Sequence, residues 1–297
     1  MKTANAWFLE KRGPTDWHYY GIKKILHEEE TNYQLVQVFD TYDYGICLAL
    51  DGKARVFSID EFIFHESMIH PIMAHHPNPK SILLAGDGDG GSVREIMKYS
   101  IDKLKWVELD KQVVDISIEY LGLIQKEALN QSPTELVIDN ARDYIDKNNE
   151  KYDIIFISVT EPVKDNPSQV LYTKEFLEIA KTKLKSGGYL VQSIGCTSFG
   201  YLQQYCQMVN TYKKVFPNVS PFHVGLPSFG VSWGFIVASL NSNIPNLDSY
   251  KKPPVKNKLR FYDKSTHLSL FALPQYLRDG IDQFQAISTD KNPIWVY

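Results

Sequence analysis

A glycine-rich loop that follows an apolar run constrains the fold of this chain more than any other feature. Residues 81–85 read Ser-Ile-Leu-Leu-Ala, and the loop Gly86-Asp87-Gly88-Asp89-Gly90-Gly91 comes directly after them. The pattern predicts a buried strand, a sharp turn and a helix over residues 92–99, because glycines let the backbone turn tightly and approach a ligand closely. Strand, glycine loop and helix in this order are typical of a doubly wound α/β sheet, whose ligand lies at the carboxyl ends of the strands.

The same alternation continues beyond the loop. Helical patterns cover residues 111–120 and 174–185, the second ended by Gly187-Gly188. Repeated strand–helix units with apolar strands indicate a parallel sheet that is covered on both faces. Residues 76–297 are therefore predicted to form a Rossmann-like α/β domain. Its further strands are predicted over residues 105–110, 136–139, 152–157 and 189–192.

The first 75 residues show a different pattern. Short β-type runs separated by turn residues fill residues 22–60, and Asp51-Gly52 between two apolar runs is a strong hairpin signal. Residues 61–75 carry apolar side chains at three- and four-residue spacing, which predicts a buried helix. The sequence thus predicts a small N-terminal antiparallel β-domain with a linking helix, residues 1–75, joined by a proline-containing linker to the α/β domain.

The composition argues against several classes of protein. At 297 residues, 43% hydrophobic and 23% charged, the chain is typical of a folded globular protein. Its net charge of -3 and its lack of a long basic run argue against nucleic acid as a partner. A membrane span is not expected, because no apolar stretch approaches roughly 20 residues. Three cysteines without paired spacing, and no signal-like segment before Trp7, predict a reduced, cytoplasmic protein.

Two carboxylates in the glycine loop restrict its ligand. Asp87 and Asp89 would repel a pyrophosphate and attract a cation, which favours a nucleoside that carries positive charge, such as a sulfonium. Gly86 and Gly88 would then bring the backbone close to that ligand. The alternative is a glycine-rich turn whose acids only cap the following helix.

Polar residues also end the next two predicted strands. Glu108 lies about 20 residues beyond the loop, the spacing at which an acid bonds both hydroxyls of a ribose, although an acid at a strand end is as often only solvated. Asp139-Asn140 ends the third strand, where a carboxylate could accept a hydrogen bond from the exocyclic amine of adenine. The three strand ends together predict an adenosine pocket.

Motifs over nearly the whole chain, from Trp7 to Tyr297, resemble those of the spermidine synthase family of polyamine aminopropyltransferases. Segments that include Pro227-Ser228-Phe229 and Trp233-Gly234 are closer to the thermospermine synthase-like branch. The family motifs, besides the glycine loop, are Tyr33-Gln34, Leu50-Asp51-Gly52, Asp60-Glu61-Phe62-Ile63-Phe64-His65-Glu66, His76-Pro77-Asn78-Pro79-Lys80 and Leu171-Tyr172-Thr173-Lys174-Glu175-Phe176.

The resemblance implies a class I methyltransferase-like domain that binds decarboxylated S-adenosylmethionine. The aminopropyl group of this donor would pass to a polyamine or related amine, and methylthioadenosine would be released. The resemblance implies a homodimer or homotetramer with no tightly bound cofactor. It assigns the ribose to Gln34 and Glu108, the adenine to Asp139, the donor amine to Asp89, further donor contacts to Gly86, Asp87, Gly88, Asn140 and Pro162, and the donor–acceptor junction to His65.

The chain departs from the family pattern where the acceptor would bind. Ser158 stands where the family has the first aspartate of a D-x-x-D-P motif, and Glu161 replaces the second. Ser158 matters because an attacking amine must be neutral, whereas a free alkylamine has a pKa of about 10.4. A carboxylate at this position can take the proton, but a hydroxyl without a partner is too weak an acceptor. Arg55 replaces a family glutamine, and Phe64 and Phe229 replace family tyrosines. These three residues and Trp233 are assigned to the acceptor side.

Three interpretations follow from these departures. In the first, Glu161 reaches the acceptor as both anchor and base, and the protein is an aminopropyltransferase. In the second, Arg55 pairs with a carboxylate of an acidic acceptor or of intact S-adenosylmethionine, and the protein is a different transferase, for example an N-methyltransferase. Asp87 argues against the intact donor, because two negative charges would repel. In the third, the protein binds without catalysis.

Other chemically active residues are assigned structural roles. His65, His70, His75 and His76 do not predict a metal site, because the acids near them fall on different predicted elements. Cys196 has no identified base beside it and is interpreted as a small buried residue.

Overall fold

The computed structural model describes residues 4–123, 132–164, 166–256 and 259–296, and their strands form two sheets. The N-terminal sheet has five antiparallel strands that pair in chain order. The antiparallel β-domain predicted from the sequence is therefore confirmed. The strands are β1 (Ala6–Lys11), β2 (Trp17–Glu30), β3 (Leu35–Thr41), β4 (Ile46–Leu50) and β5 (Lys53–Phe57).

The hairpin between β4 and β5 turns where the sequence predicted it. Asp51 and Gly52 have φ values of 50° and 70°, the left-handed conformation that two-residue hairpin turns require. The sequence analysis missed β1 and placed the start of β2 at Ile22, five residues late. In these segments residue type does not follow burial, so the apolar–polar alternation that marks a strand is missing: Trp7, Leu9 and Tyr19 are exposed, whereas Glu10 is buried.

The second sheet has seven strands in the order β11-β12-β10-β9-β6-β7-β8. Strands β6 to β10 are parallel, and β11 and β12 form an antiparallel hairpin at one edge. This arrangement confirms the doubly wound α/β class. The strands are β6 (Ser81–Gly86), β7 (Lys103–Glu108), β8 (Thr134–Ile138), β9 (Tyr152–Ser158), β10 (Leu184–Cys196), β11 (Asn218–Leu226) and β12 (Val231–Ser239).

Both faces of this sheet are covered, as near-continuous apolar strands require. Ile82 and Leu84 of β6 point to one face and join a core that includes α1 (Glu61–His75), α2 (Gly91–Ile96) and part of the N-terminal sheet. Leu83 and Ala85 point to the other face and join a core with α5 (Lys174–Thr182), α6 (Leu202–Val215) and α8 (Gln275–Gln283). Alternate residues of one strand therefore supply two separate cores.

The helices follow the strand–helix alternation closely. The helices α1 and α3 have the bounds that the sequence predicted, whereas α5 ends at Thr182, before the predicted end at residue 185. The glycines at 187 and 188 lie inside β10 and do not cap a helix. A Cβ on Gly188 would lie 2.9 Å from the carbonyl oxygen of Asp153, so glycine there allows β10 to approach β9.

None of the helices among the described residues is long and apolar enough to cross a membrane. The helices are α1 (Glu61–His75), α2 (Gly91–Ile96), α3 (Lys111–Tyr120), α4 (Ala141–Lys147), α5 (Lys174–Thr182), α6 (Leu202–Val215), α7 (Lys264–Phe271) and α8 (Gln275–Gln283), with short 3₁₀ helices at Pro167–Tyr172 and Phe199–Tyr201.

The N-terminal sheet is joined to the α/β sheet by a polar contact that we call the Asp110 clasp. Thr31 Oγ1 and Gln34 Nε2 donate to Asp110 Oδ2 at 2.7 and 3.1 Å, while Asp110 Oδ1 accepts from the backbone N–H of Gln112 and caps α3. Asp110 is 2% exposed. The clasp therefore fixes the β2–β3 turn beside the carboxyl ends of β6 and β7. The predicted boundary between residues 75 and 76 stays a prediction.

Candidate active site

A cavity of about 190 Å³ lies at the carboxyl ends of β6, β7 and β9. Two of its sides differ in chemistry. The loop side is lined by Gln34, Gly86, Asp87, Gly88, Asp89, Glu108 and Asn140, and the aromatic side by Arg55, Phe64, Phe229 and Trp233, with His65 and Ser158 between the two. The cavity thus brings together most of the site residues predicted from the sequence. Asp139, Glu161 and Pro162 do not line it.

The glycines of the loop are required by close approaches of neighbouring elements. Gly86 has φ of 81°, and a Cβ there would lie 2.3 Å from the carbonyl oxygen of Ser158 on β9. A Cβ on Gly91 would lie 2.2 Å from the ring of His65 on α1. Both distances are shorter than any real contact, so the loop can pass between β9 and α1 only as glycine.

Asp87 occupies a backbone conformation that favours glycine, with φ of 69°. Its carboxylate accepts hydrogen bonds from the backbone N–H of Ser92 at 2.8 Å, from Ser92 Oγ at 2.7 Å and from Ser158 Oγ at 3.2 Å. The side chain is only 1% exposed. Asp87 therefore does bond the start of α2, as the capping alternative expected, but it also faces β9 and α1.

His65 is held on α1 between three carboxylates. Its Nδ1 lies 2.8 Å from Glu61 Oε2, and its Nε2 lies 3.1 Å from Asp89 Oδ1 and 3.6 Å from Asp87 Oδ1. Burial alone would lower the pKa of His65, but Asp89, Asp87 and Glu61 outweigh burial and raise it well above 6.5. His65 is therefore an imidazolium at neutral pH, with Nδ1–H donating to Glu61 and Nε2 lying beside the two loop carboxylates.

The pKa values of the two loop carboxylates, Asp87 and Asp89, shift in opposite directions. Burial would raise the pKa of Asp87, but the neighbouring positive charge of His65 and the hydrogen bonds from Ser92 outweigh burial and lower it. The pKa of Asp89 is raised by burial and by the neighbouring negative charge of Asp87. Asp89 is the more exposed carboxylate of the two. Asp89 is therefore the one that can meet a cationic group of a ligand.

His65, Asp87 and Asp89 also lie close enough together to hold a metal ion, since one ligand atom from each falls within 4.8 Å of the others. The sequence analysis did not predict this cluster, because His65 and the two acids fall on different predicted elements, which the fold brings together. In the structure the Nε2–H of a charged His65 faces the two carboxylates. The imidazolium thus supplies the positive charge that the pair needs.

Glu61 orients His65, and the sequence analysis gave it no role. Its carboxylate accepts from Arg94 Nη1 at 3.1 Å and Nη2 at 2.7 Å as well as bonding His65. Burial would raise the pKa of Glu61, but the hydrogen bonds from His65 and Arg94 lower it to about 2. The signal was available: Glu61 precedes His65 by four residues, a spacing that puts both on one face of a helix.

Glu108 ends β7 on the loop side of the cavity. Its Oε1 accepts from the backbone N–H groups of Leu109 and Asp110 at 2.8 and 3.3 Å. Burial raises the pKa of Glu108 to about 7, despite these two bonds. Gln34, whose amide nitrogen is engaged in the Asp110 clasp, lines the same side of the cavity.

The end of β8 places Asn140 at the cavity and Asp139 outside it. Asn140 Oδ1 caps α4 by accepting from the backbone N–H of Arg142 at 2.9 Å. Asp139 is exposed at the rim, and its backbone N–H donates to the carbonyl oxygen of Glu108 at 3.1 Å. Pro162 does not line the cavity. Its carbonyl oxygen accepts a hydrogen bond from the backbone N–H of Val296 at 2.7 Å.

Stacked rings form the aromatic side. Phe229 and Trp233 lie with ring centroids 5.6 Å apart and an angle of 30° between planes, and Trp233 Nε1 donates to Ser193 Oγ at 2.7 Å. Phe64 directly precedes His65 on α1, and the centroids of their rings lie 5.3 Å apart. Such a surface suits an alkyl chain or a cation, which aromatic faces attract.

Arg55 and Glu161 line a smaller cavity beside this side, which shares Arg55, Phe229 and Trp233 with the main cavity and which we call the side cavity. Arg55 lines both cavities, whereas Glu161 lines only the side cavity, together with Glu10 and Arg12. The Nε of Arg55 is buried and has no hydrogen-bond partner among the described residues. Burial lowers the pKa of Arg55, and the charge of Glu161 offsets part of that effect.

Glu161 is positioned by a glycine of β10. Gly195 has φ of 91°, and a Cβ there would lie 2.7 Å from Glu161 Oε1. Glycine therefore leaves the space that this longer carboxylate fills. Ser158, three residues earlier, lies in the main cavity, so the structure separates the two residues that the sequence placed in one motif.

The fold and this cavity define a class of protein: a Rossmann-like nucleoside-binding α/β protein with an added N-terminal β-domain. Comparison with known families gives the particular family. Residues 61–251 match the model described as spermine/spermidine synthase domain, and residues 6–57 match the spermidine synthase tetramerisation domain. The chain belongs to the spermine/spermidine synthase family.

Individual relatives agree over nearly the full length. The chain is 36% identical to a polyamine aminopropyltransferase of Sulfolobus acidocaldarius, over 97% of each chain. It is 35% identical to a polyamine aminopropyltransferase of Sulfurisphaera tokodaii, over 98% of each.

Solved structures agree in fold. A spermidine synthase in complex with the transition-state analogue AdoDATO superposes with a TM-score of 0.87 at 25% identity, covering 95% of this chain and 97% of that one. The spermidine synthase of Thermotoga maritima gives a TM-score of 0.85 at 26% identity, covering 95% and 96%.

Proposed function

We propose that this protein transfers the aminopropyl group of decarboxylated S-adenosylmethionine to a polyamine or related amine and releases methylthioadenosine. The observation that carries the proposal is one cavity with a carboxylate-rich loop side and an aromatic side, joined at His65 and Ser158. A sulfonium nucleoside suits the first side and an aliphatic amine suits the second. The polyamine aminopropyltransferases among its relatives support the same reaction.

The donor roles follow from the loop side. Glu108 has an oxygen, Oε2, that is free of the backbone bonds made by Oε1, so it can bind ribose hydroxyls. Asp89, the more exposed loop carboxylate, would bind the amine of the aminopropyl arm. Asp139 would reach adenine from the rim, beside Asn140. Pro162 would act at a distance, by holding the segment between β9 and the 3₁₀ helix.

The acceptor roles follow from the aromatic side. Phe64, Phe229 and Trp233 would enclose the methylene chain of the acceptor. Glu161 would bind the far amine of a long acceptor, since its carboxylate lies in the side cavity and not beside Ser158. The base role assigned to Glu161 in the first interpretation therefore has less support than its anchoring role.

The transferases considered as alternatives have less support. Methyl transfer and an acidic acceptor rested on Arg55 and Ser158. In the structure Glu161 provides a negative charge that acts on Arg55, so that guanidinium has an electrostatic counterpart without an acidic substrate.

Mass spectrometry of the nucleoside product tests the proposed function. Purified protein is incubated with a panel of amines and with either decarboxylated or intact S-adenosylmethionine. The proposal expects methylthioadenosine from the decarboxylated donor only, together with an amine that has gained one aminopropyl unit. Adenosylhomocysteine, or methylthioadenosine from the intact donor, would contradict it.

Assembly and location are part of the same proposal. The match of residues 6–57 to a tetramerisation domain supports a homo-oligomer in which the N-terminal sheet contributes contacts. Exposed apolar side chains of β1 and β2, Trp7, Leu9, Trp17 and Tyr19, suit such a contact. The three cysteines are free and buried, which fits the cytoplasm.

A further inference from the structure

The end of β9 and the glycine loop are joined by a reciprocal pair of hydrogen bonds. The backbone N–H of Asp87 donates to the carbonyl oxygen of Ser158 at 2.8 Å, and Ser158 Oγ donates to Asp87 Oδ1 at 3.2 Å. Gly86, the residue before Asp87, is the register partner of Ser158 in the parallel pair β6–β9. The hydroxyl and the carboxylate are therefore held together by the sheet itself.

Asp87 is a costly residue at its position. A non-glycine residue at φ of 69° is strained, and a carboxylate that is 1% exposed loses most of its hydration. A helix cap does not require the backbone strain, because Asn140 and Asp110 cap their helices from ordinary extended conformations. An observed outlier of this kind at a cavity wall points to a functional reason.

The two residues differ in access to the cavity. Both residues line the cavity, but the Asp87 side chain is only 1% exposed whereas Ser158 is partly exposed, so Ser158 is the more accessible of the two to an amine. Because the hydroxyl proton of Ser158 is donated to Asp87, the oxygen lone pairs of Ser158 are left to accept from a ligand. A hydroxyl that is too weak a base alone thus has the partner that it needs.

We propose, resting on the proposed function, that Ser158 and Asp87 act as one unit: Ser158 contacts the attacking nitrogen of the acceptor, and Asp87 supplies the negative charge through the Ser158 hydroxyl. Ser158 is then the catalytic residue, and Asp87 is the positioning residue behind it. The pair does the work of a single carboxylate at the end of β9.

The proton and electrons balance in this step. The acceptor ammonium gives a proton to Ser158 Oγ while the Ser158 hydroxyl proton passes to Asp87. The freed nitrogen lone pair attacks the carbon next to the sulfonium, the C–N bond forms, and the C–S bond breaks with its electron pair left on sulfur as a neutral thioether. Asp87 then returns the proton through the hydroxyl to water, and nothing is oxidised or reduced.

Steady-state kinetics of substitutions at the two positions test the pair. With saturating donor, Ser158→Ala and Asp87→Asn are each expected to lower kcat about 100-fold, the lower end of what proton transfer contributes. The double variant should be no slower than the worse single variant, because the residues act together. Ser158→Thr, which keeps the hydroxyl, should lose at least tenfold less than Ser158→Ala.

A relocated carboxylate separates this proposal from a purely structural role. Asp87→Gly relieves the backbone strain and removes the charge, and adding Ser158→Asp to it should recover at least tenfold in kcat. A structural cap cannot be restored from position 158. If kcat does not recover in this double variant, the proposed pair is overturned. Multiplicative effects of Ser158→Ala and Asp87→Asn on kcat would overturn it as well.

The controls separate failure of this pair from failure of the proposed function. Methylthioadenosine affinity, measured by calorimetry, should change less than threefold in Ser158→Ala, because this substitution deletes only one oxygen atom. This control is independent of whether the Asp87 variants fold. If the wild-type protein is active and Ser158→Ala has the same kcat, the proposed pair is overturned while the proposed function stands. An inactive wild-type protein would overturn the proposed function and this inference with it.

Discussion

The loop side and the aromatic side of the cavity are built in different ways. Apart from Gln34, the loop side takes its residues from strand ends of one parallel sheet, where sheet geometry brings them together. The aromatic side combines β5, α1 and the β11–β12 hairpin, which only tertiary packing brings together. We infer that the loop side tolerates few substitutions, whereas substitutions on the aromatic side can change the acceptor specificity without loss of the fold.

The largest effect is expected where the loop touches α1. Gly91→Ala would place a Cβ 2.2 Å from the His65 ring, so His65 or the loop must move. We expect loss of detectable turnover and a lower melting temperature, corresponding to about 1–3 kcal/mol of folding free energy. Gly200→Ala is the matched control, because a Cβ there meets nothing within 4 Å. Equal behaviour of the two variants in thermal melts and turnover would contradict this account of the loop.

A second prediction separates two parts of the donor on the loop side. Asp89→Asn removes the charge that faces the donor amine, so affinity for decarboxylated S-adenosylmethionine should fall about 100-fold. Methylthioadenosine lacks that amine, and its affinity should change less than threefold. Calorimetric titration with both nucleosides checks the difference, and equal losses would show that Asp89 does not bind the amine.

A third prediction concerns pH and Glu108. Because burial raises the pKa of Glu108 to about 7, its ionised form, which accepts both ribose hydroxyl bonds, is depleted below that pH. Methylthioadenosine affinity should therefore rise up to about tenfold from pH 6 to pH 8, as one group of this pKa ionises. Glu108→Gln should bind more weakly and without this pH dependence. A variant that keeps the wild-type pH profile would assign the titration to another group.

The smallest effect is expected on the aromatic side. Glu161→Gln should raise KM about fivefold for a long polyamine and leave KM for a short diamine unchanged, since only a long acceptor reaches the side cavity. Steady-state kinetics with acceptors of increasing length measures this. The same increase for a diamine would place Glu161 nearer the reacting nitrogen than the structure does.

The loop-side residues could be grouped from the sequence for a physical reason. Strand ends in a parallel sheet converge whatever their side chains, so the glycine loop, Glu108 and Asp139-Asn140 could be grouped from their positions alone, although Asp139 does not line the cavity. The separation of Glu161 from Ser158 could not be foreseen. It depends on the left-handed conformation of Gly195 and on Arg55 from another sheet.

The partnership of Ser158 with Asp87 shows the same limit at shorter range. Both residues were visible in the sequence, and the break in the motif at Ser158 was recognised. The pairing itself depends on the β6–β9 register and on the positive φ of Asp87, which a sequence pattern does not display. Glu61 could have been predicted, because its four-residue spacing from His65 places both side chains on one face of α1.

The Asp110 clasp limits how this protein can evolve. Gln34, which lines the cavity, belongs to the N-terminal sheet, and its amide is held by a carboxylate that also caps a helix of the α/β domain. A chimera that took its N-terminal unit from a distant relative would have to bring compatible residues at positions 31 and 34. The two units of this chain are therefore matched to each other and would not act as interchangeable modules.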